Sequence, residues 1–221
     1  MSFQVIPNID VTYLNEILFD DDGYLKILDS SEYEKIDYTH LRLFCNKNGI
    51  YSLPTTELVE WARGQIDGRR AIEIGSGNGS FAKALGITAT DSYMQERSDI
   101  AAYYKENGQF TVKYGKNVKK FDAKKAIKKL KPRVVVACWI TQIYKPDSDQ
   151  GNVWGVDEGK ILKQVETYIH IGNMHPHKKR ILKYPHDEYQ FPWLWSRAQY
   201  PEDNVIFVWD KKKKFNDVIH L

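Results

Sequence analysis

The sequence predicts an α/β fold with a mainly parallel central sheet, and two segments carry this prediction. Residues 71–91, AIEIGSGNGSFAKALGITATD, join an apolar strand, a glycine turn, a helix and a second strand within one short block. Residues 133–140, RVVVACWI, form a continuous apolar run that is typical of a strand buried on both faces of a parallel sheet. The strand–helix–strand order of the first segment favours two parallel strands joined by a crossover helix.

The turn of the first segment has the features of a ligand site. Three glycines alternate along it, Gly75, Gly77 and Gly79, so that backbone can approach a bound molecule without a side-chain clash. Glu73 precedes them near the end of the first strand, and Asp91 ends the second strand. Because the carboxyl ends of parallel strands meet at one edge of a sheet, both acids are expected to flank this loop.

The glycine spacing decides which ligand is favoured. A dinucleotide fingerprint runs G-x-G-x-x-G beneath a pyrophosphate, whereas this loop runs G-x-G-x-G and has an acid before it. A carboxylate at Glu73 repels a pyrophosphate. Two carboxylates instead suit a ligand with a cationic amine at one end and a ribose diol at the other, as in S-adenosylmethionine. An enzyme that uses another nucleoside cofactor, such as NAD, is the alternative.

This acid followed by G-x-G-x-G resembles the first motif of the class I S-adenosylmethionine-dependent methyltransferases, and the resemblance covers roughly residues 55–172. It implies a Rossmann-like fold whose mainly parallel sheet has an antiparallel edge strand, with NVIFVWD near the carboxyl terminus as that strand. It also implies that Glu73 holds the methionine end of the cofactor through the loop, that Asp91 takes the ribose hydroxyls and that Asp122 meets the adenine amine. The residues predicted to contact S-adenosylmethionine are Glu73, Gly75, Ser76, Gly77, Asn78, Gly79, Asp91, Ser92, Asp122, Ala123 and Cys138.

Simpler interpretations exist for the acids. Glu73 could be an ordinary strand-end acid and Asp91 a turn former, although their joint position around three glycines favours the pocket. Asp122 precedes a segment with helical apolar spacing, so a helix N-cap explains it equally well.

The methyl acceptor is expected to bind at the carboxyl end of the apolar strand in residues 133–140. Ligands of open α/β sheets bind beyond the carboxyl ends of the strands, so Trp139, Thr141 and Gln142 are the candidate catalytic residues on the substrate side. The paired prolines of enzymes that methylate amino groups of DNA bases are missing here. Cys138 follows Ala137 rather than proline, which favours a structural thiol over a nucleophile. The methyl acceptor therefore stays unidentified.

The 221 residues suffice for one domain with elaborations. We expect residues 1–54 to form an amino-terminal appendage with hairpin and lid elements, and residues 55–221 to form the methyltransferase-like part of the same domain. The hairpin is predicted in LRLFCNKNGIYSL, whose Asn48-Gly49 pair favours a tight turn. Pro54 and Thr55 introduce a helix that ends near Gly68.

Charge leaves the partner open, because 32 Lys and Arg against 29 Asp and Glu give a net charge of only +3. Nucleic acid is possible but not favoured. For the lysines of residues 113–133 a solvated helix face is the favoured interpretation, and phosphate binding is the alternative. No apolar run is long enough to cross a membrane. Two cysteines and a first segment without a secretory pattern favour the cytoplasm.

The histidine and aromatic residues near the carboxyl terminus have two interpretations each. No metal is predicted for His175, His177 and His186, because their spacing does not suit a helical site and Pro176 is expected to interrupt a helix. A run of aromatic residues could stack on flat rings but is more often a cover packed on the sheet. These residues are Tyr184, Tyr189, Phe191, Trp193 and Trp195. A non-catalytic binding protein on the same fold is the remaining alternative to an enzyme.

Overall fold

The computed structural model describes residues 9–143, 154–181 and 185–211 as strands and helices around a seven-stranded sheet. The strands are β1 Ser52–Leu53, β2 Ala71–Ile74, β3 Thr88–Asp91, β4 Lys119–Lys120, β5 Val134–Cys138, β6 Thr167–Asn173, β7 Asp187–Tyr189, β8 Trp195–Ser196 and β9 Asn204–Asp210. The helices are α1 Leu14–Leu18, α2 Ser30–Glu34, α3 Tyr38–Lys47, α4 Thr56–Ile66, α5 Ser80–Leu85, α6 Ser98–Glu106, α7 Ala123–Leu130, α8 Glu158–Leu162 and α9 Met174–Ile181.

The strand order across the large sheet is β4-β3-β2-β5-β6-β9-β7. Strands β4, β3, β2, β5 and β6 are parallel to one another, and β9 runs antiparallel to both of its neighbours. The predicted Rossmann-like α/β fold with a mainly parallel sheet is therefore confirmed. The expected antiparallel strand is β9, which lies one position inside the edge because β7 pairs with its outer side. The chain reverses its direction of travel across the sheet between β2 and β5.

The sheet is covered on both faces, which explains the continuous apolar run of β5. The side chains of Val134 to Ala137 are fully buried. One apolar layer includes Ile127 of α7 and Ile161 of α8, and the opposite layer includes Leu58 of α4 and Phe81 of α5. The predicted helix after Pro54 is α4, whose N-cap Thr55 accepts a hydrogen bond from the Leu58 N–H.

The predicted hairpin in residues 41–53 is wrong, because most of this segment belongs to helix α3. Asp37 caps the helix by accepting a hydrogen bond from the His40 N–H. Leu41, Phe44 and Cys45 have helical spacing and are buried together in a separate apolar cluster. The Asn48-Gly49 pair ends this helix, with Gly49 at φ +65°, instead of forming a two-residue β-turn.

The amino-terminal and carboxyl-terminal parts of the chain meet in a small second sheet. Strand β1 pairs antiparallel with β8, with Ser52 opposite Ser196 and Leu53 opposite Trp195. Trp195 also packs against the apolar cluster of the amino-terminal helices. The division of the domain at residue 54 stays a prediction.

Two further expectations concern the last third of the chain. Pro176 does not interrupt a helix, because it is the third residue of α9, where a backbone N–H has no partner within the helix. Tyr189, Phe191 and Trp193 pack against the sheet as partly buried residues, as expected for a cover, and Tyr184 lies outside the described residues. No helix in the described part of the chain is long and apolar enough to cross a bilayer.

Candidate functional site

A cleft of about 1040 Å³, including its open mouth, lies where the chain reverses direction across the sheet. Its walls come from the residues that follow β2, β3 and β5, together with two segments that contact the sheet from outside, residues 48–54 and 112–114. This position beyond the carboxyl ends of parallel strands, at a topological switch point, is the usual ligand site of an open α/β sheet.

The first wall, which we call the glycine-loop half, consists of residues 73–81 and 91–92. Gly75, Gly77 and Gly79 all have φ between +55° and +77°, a conformation in which other residues are strained. At Gly75 a Cβ atom would lie 2.6 Å from Ile140 Cγ2, so only glycine lets the loop pass the strand exit this closely. The Ser76 hydroxyl ties the loop to β3, because it accepts a hydrogen bond from the Thr90 N–H at 3.0 Å.

Asp91 lines the cleft with both carboxylate oxygens fixed by backbone donors. The Gly77 N–H donates to Oδ2 at 3.1 Å and the Tyr93 N–H donates to Oδ1 at 2.9 Å. Burial raises the pKa of Asp91, although these two hydrogen bonds act in the opposite direction. Each oxygen keeps a further lone pair, so the carboxylate can accept hydrogen bonds from a ligand without losing its backbone contacts.

Glu73 lies on the floor of the cleft and is 1% exposed. Its Oε2 accepts a hydrogen bond from the Ala82 N–H at 3.1 Å, in the first turn of α5. Burial raises its pKa to about 8, against the opposing effect of hydrogen bonds from Ser76 and Ala82. Near neutral pH the free protein therefore holds this carboxyl mostly protonated, and a cation placed beside it would favour the ionised form.

Residues 112–117 close the glycine-loop half from above. Gln95 connects this segment to the end of β3, since its Oε1 accepts from the Val112 N–H at 2.8 Å. Asn117 donates from Nδ2 to the Gly79 carbonyl at 3.0 Å. The Tyr114 ring, which lines the cleft, stacks on Tyr93 with centroids 3.9 Å apart.

The strand-exit half comprises residues 138–142, of which residues 138–141 form the opposite wall. Trp139 has φ +51°, an uncommon backbone conformation for a bulky residue, and its N–H donates to the Ile171 carbonyl at 2.9 Å. Its ring contacts Tyr51 and His177, with centroid distances of 6.2 and 5.1 Å. Arg197 lies over the ring of Tyr51, with its guanidinium carbon 3.6 Å from the ring centroid.

A buried polar network supports the strand-exit half from behind. Glu158 Oε2 accepts from Gln142 Nε2 at 3.0 Å, and Oε1 accepts from the Tyr168 hydroxyl at 2.6 Å. His170 Nδ1 lies 3.0 Å from the same Oε1. The Val156 N–H also donates to the Thr141 carbonyl at 2.8 Å, so the strand exit is held by side chains and by backbone.

Most of the residues predicted from the sequence lie around this cleft. Those that line it are Glu73, Gly75, Ser76, Gly77, Asn78, Asp91, Ser92, Cys138, Trp139 and Thr141. Four predicted residues do not line it. Gly79 packs under Asn117 and Val118, and Gln142 is turned toward Glu158. Asp122 is exposed and caps α7 through the Lys125 N–H, which matches the N-cap alternative, and Ala123 packs with the α7 side of the core.

The thiol of Cys138 is unsuited to nucleophilic chemistry. Desolvation and the neighbouring Glu73 carboxyl raise its pKa well above the ordinary value. The thiolate is therefore strongly disfavoured at neutral pH, as expected for a structural cysteine that lines a cleft.

Sequence reasoning missed the residues that reach the cleft from distant segments. Tyr51, Gln95, Val112 and Tyr114 line it, and none belongs to a recognisable motif. Tyr51 lies in the segment that was expected to form a hairpin. Gly115 was a usable signal for the closing segment, because a Cβ atom there would clash with the Asn78 carbonyl oxygen.

Comparisons with known proteins give a likeness of fold only. No protein-family model and no curated protein sequence matches the chain. Among solved structures, an rRNA methylase from Streptococcus thermophilus is 11% identical, with 69% of this chain and 93% of that chain covered and a TM-score of 0.40. The Pyrococcus abyssi tRNA (uracil-54, C5)-methyltransferase, in complex with S-adenosyl-L-homocysteine, is 15% identical, with coverages of 69% and 36% and a TM-score of 0.33.

A third structure, SMU.776 complexed with SAH, is 14% identical, with a TM-score of 0.35. The alignment covers 67% of this chain but only 48% of SMU.776. The solved structures to which the chain is similar thus include methyltransferases. At these identities and TM-scores, the case for function rests on the cleft itself.

Proposed function

We propose that this protein binds S-adenosylmethionine in the cleft and transfers its methyl group to an acceptor that enters on the strand-exit side. The single observation that carries the proposal is the pair of acids around the glycine loop. Glu73 and Asp91 approach the same cleft from two adjacent parallel strands, and the loop between them has three residues with positive φ. This donor set fits a ligand that is cationic at one end and carries a ribose diol at the other.

The acids would play different parts. Asp91 is already oriented by the Gly77 and Tyr93 N–H groups, so it can accept hydrogen bonds from the ribose hydroxyls at little further ordering cost. Glu73 is buried and protonated in the free protein, so its ionisation would be coupled to the arrival of a cationic amine. The walls formed by Met94, Val112 and Tyr114 supply apolar and aromatic surface for a purine ring.

The acceptor side would consist of Trp139 and Thr141, which line the cleft beyond β5. S-adenosylmethionine supplies an already activated methyl group, so most of the rate can come from holding a desolvated acceptor in line with it. Trp139, supported by Tyr51 and His177, is a rigid surface on which an acceptor can be positioned. Gln142 would act as a positioning residue, because its side chain bonds to Glu158 behind the strand exit. The two free cysteines are consistent with a reducing cytoplasm.

Calorimetry with S-adenosylmethionine, S-adenosylhomocysteine and NAD tests the cofactor. We expect the first two to bind and NAD not to bind. Asp91→Ala should weaken binding by about 150-fold or more, because two charge-assisted hydrogen bonds of about 1.5–3 kcal/mol each are lost. Asp99→Ala, at an exposed acid of α6, is the matched control and should bind normally.

Asp91→Asn separates the charge from the fold. It keeps one acceptor oxygen, so one of the two backbone N–H donors loses its partner and the free energy of unfolding should fall by about 1–3 kcal/mol. Thermal unfolding checks that the variant is folded at the assay temperature, and the affinity for the cofactor should still fall. Normal binding by both Asp91 variants, or binding of NAD alone, would overturn the proposal.

Methyl transfer requires a second assay, because binding alone does not distinguish an enzyme from a binding protein. Labelled S-adenosylmethionine would be incubated with the protein and with separate nucleic-acid, protein and metabolite fractions of a cell extract. We expect label to enter one fraction only when the protein is present, and less of it with Trp139→Ala. If cofactor binds but no fraction gains label, the non-catalytic alternative is favoured.

A further inference from the structure

The positive charge of this protein is concentrated in one segment. Residues 113–133 contain ten Lys and Arg residues and a single acid, Asp122. The rest of the chain contains 22 Lys and Arg against 28 Asp and Glu, so its formal charge is negative. The net charge of +3 is therefore the sum of +9 for residues 113–133 and −6 for the rest of the chain.

All ten cations are exposed, and we call this set of residues the basic strip. Its members are Lys113, Lys116, Lys119, Lys120, Lys124, Lys125, Lys128, Lys129, Lys131 and Arg133. Among the described residues, ion pairs are formed only by Lys120 with Glu96 and by Arg133 with Glu166. The other eight cations have no acidic partner within hydrogen-bonding distance in that part of the chain.

Solubility alone does not explain why the lysines of α7 are placed next to one another. On α7 the lysines stand in like-charged pairs at i, i+4, with Lys124 above Lys128 and Lys125 above Lys129. Such pairs destabilise a helix by about 0.2–0.5 kcal/mol each, whereas alternating signs would give solubility without that cost. A polyanionic partner would turn this repulsion into binding energy.

The strip begins at the mouth of the cleft. Val112 and Tyr114, on either side of Lys113, line the cleft, and Asn117 bonds to the Gly79 carbonyl. Just before the strip, the Phe110 ring is 49% exposed, which suits it to stack on an unpaired base. A polyanion bound along the strip would therefore reach the mouth of the cleft on its glycine-loop side.

We propose that the basic strip binds the phosphate backbone of a single-stranded nucleic acid. The apolar side of α7 is buried against the sheet through Ala126 and Ile127, so this helix has no free apolar face to insert into a lipid surface. Nucleic acid is thus favoured over an anionic membrane. The interaction needs no cofactor, and it goes beyond methyl transfer as such.

The test is fluorescence anisotropy with a labelled 20-nucleotide polyuridylate RNA, measured over a range of salt concentrations. The strip variant replaces Lys124, Lys125, Lys128 and Lys129 with Gln, which preserves helix propensity. The control variant replaces four exposed lysines outside the strip with Gln, namely Lys35, Lys105, Lys160 and Lys163. Both variants lose the same charge, so net charge cannot explain a difference between them.

For the wild-type protein, the logarithm of the association constant should fall linearly with the logarithm of salt concentration. Each phosphate contact on a single strand contributes about −0.7 to that slope, so the strip variant should lose up to about 3 slope units, and the control variant less than about 1. Phe110→Ala should weaken binding by about fivefold or more with an unchanged slope, because base stacking is worth about 1–3 kcal/mol.

Three results would overturn the proposal: no RNA binding at low salt, equal losses in both lysine variants, or binding to phosphatidylserine vesicles without binding to RNA. Calorimetry with S-adenosylmethionine on the strip variant keeps this test separate from the proposed function. Failure of cofactor binding leaves the RNA result interpretable, and failure of RNA binding leaves the cofactor assay interpretable.

Discussion

The two halves of the cleft are held in place by different groups. In the glycine-loop half, short-range backbone contacts dominate, because Asp91 accepts from Gly77, in the loop after β2, and from Tyr93, two residues after Asp91 itself. In the strand-exit half, Trp139 and Gln142 depend on residues that come from later strands and helices, such as Ile171 and Glu158. The first half is therefore a local structure, and the second half exists only after the rest of the sheet has assembled.

This difference indicates how each half could change. The glycine-loop half tolerates few amino-acid substitutions, because positive φ angles and close packing restrict which residues fit at several positions. In the strand-exit half, the residues that line the cleft are distinct from the buried network around Glu158 that holds them, so the two can be altered separately. We expect cofactor binding to depend on the first half, and acceptor positioning and stability to depend on the second.

The largest effect is expected for Glu158→Ala, which removes the support of the strand-exit half. It leaves Gln142, Tyr168 and His170 without their shared buried partner, so the free energy of unfolding should fall by about 3–5 kcal/mol. Urea denaturation measures this, with the exposed Glu106→Ala as control. Cofactor affinity of the folded variant should stay within about threefold of wild type. A 100-fold loss would show that the two halves are not separable.

A smaller effect is expected where the two halves touch. Gly75→Ala places a methyl group against Ile140 Cγ2 at a φ of +60°, and we expect a loss of about 2–4 kcal/mol from strain and overpacking. Adding Ile140→Ala should relieve the overpacking, so that the double variant is less destabilised than the sum of the single variants by about 0.5–3 kcal/mol. Strictly additive losses would mean that this contact does not couple the halves.

Measured per pH unit, the smallest effect is a pH dependence that belongs to the glycine-loop half. Glu73 has a pKa of about 8 in the folded protein, and its ordinary value is 4.5. The unfolded chain releases this proton first, so the free energy of unfolding should fall as pH rises from about 4.5 to about 8. The slope approaches about 1.4 kcal/mol per pH unit. Asp91, whose pKa is also raised, acts in the same direction at lower pH.

Glu73→Gln should remove most of this slope between pH 5 and pH 8, as measured by urea denaturation of the ligand-free protein. Glu106→Gln, at an exposed acid, should keep it. If Glu73→Gln and wild type show the same slope, the carboxyl is not protonated in the folded protein, and its part in coupling cofactor binding to ionisation would be withdrawn.

The sequence by itself determined the local parts of this protein. Strand β2, the glycine loop, Asp91 and the apolar strand β5 were all predicted, because strand pattern, glycine conformation and N-capping act between residues close in the chain. Only the tertiary structure decided the rest. The packing of Leu41, Phe44 and Cys45 in a common core made a helix of a segment whose turn residues favoured a hairpin, and it made Asn48-Gly49 a helix end.

The same reason explains the cleft walls. Residues such as Tyr51 and Tyr114 reach the site through contacts between distant segments, which leave no pattern in the order of neighbouring residues. Gln142 follows the strand exit, as predicted, but hydrogen bonding to Glu158 turned it away from the cleft, because a buried carboxylate must find donors.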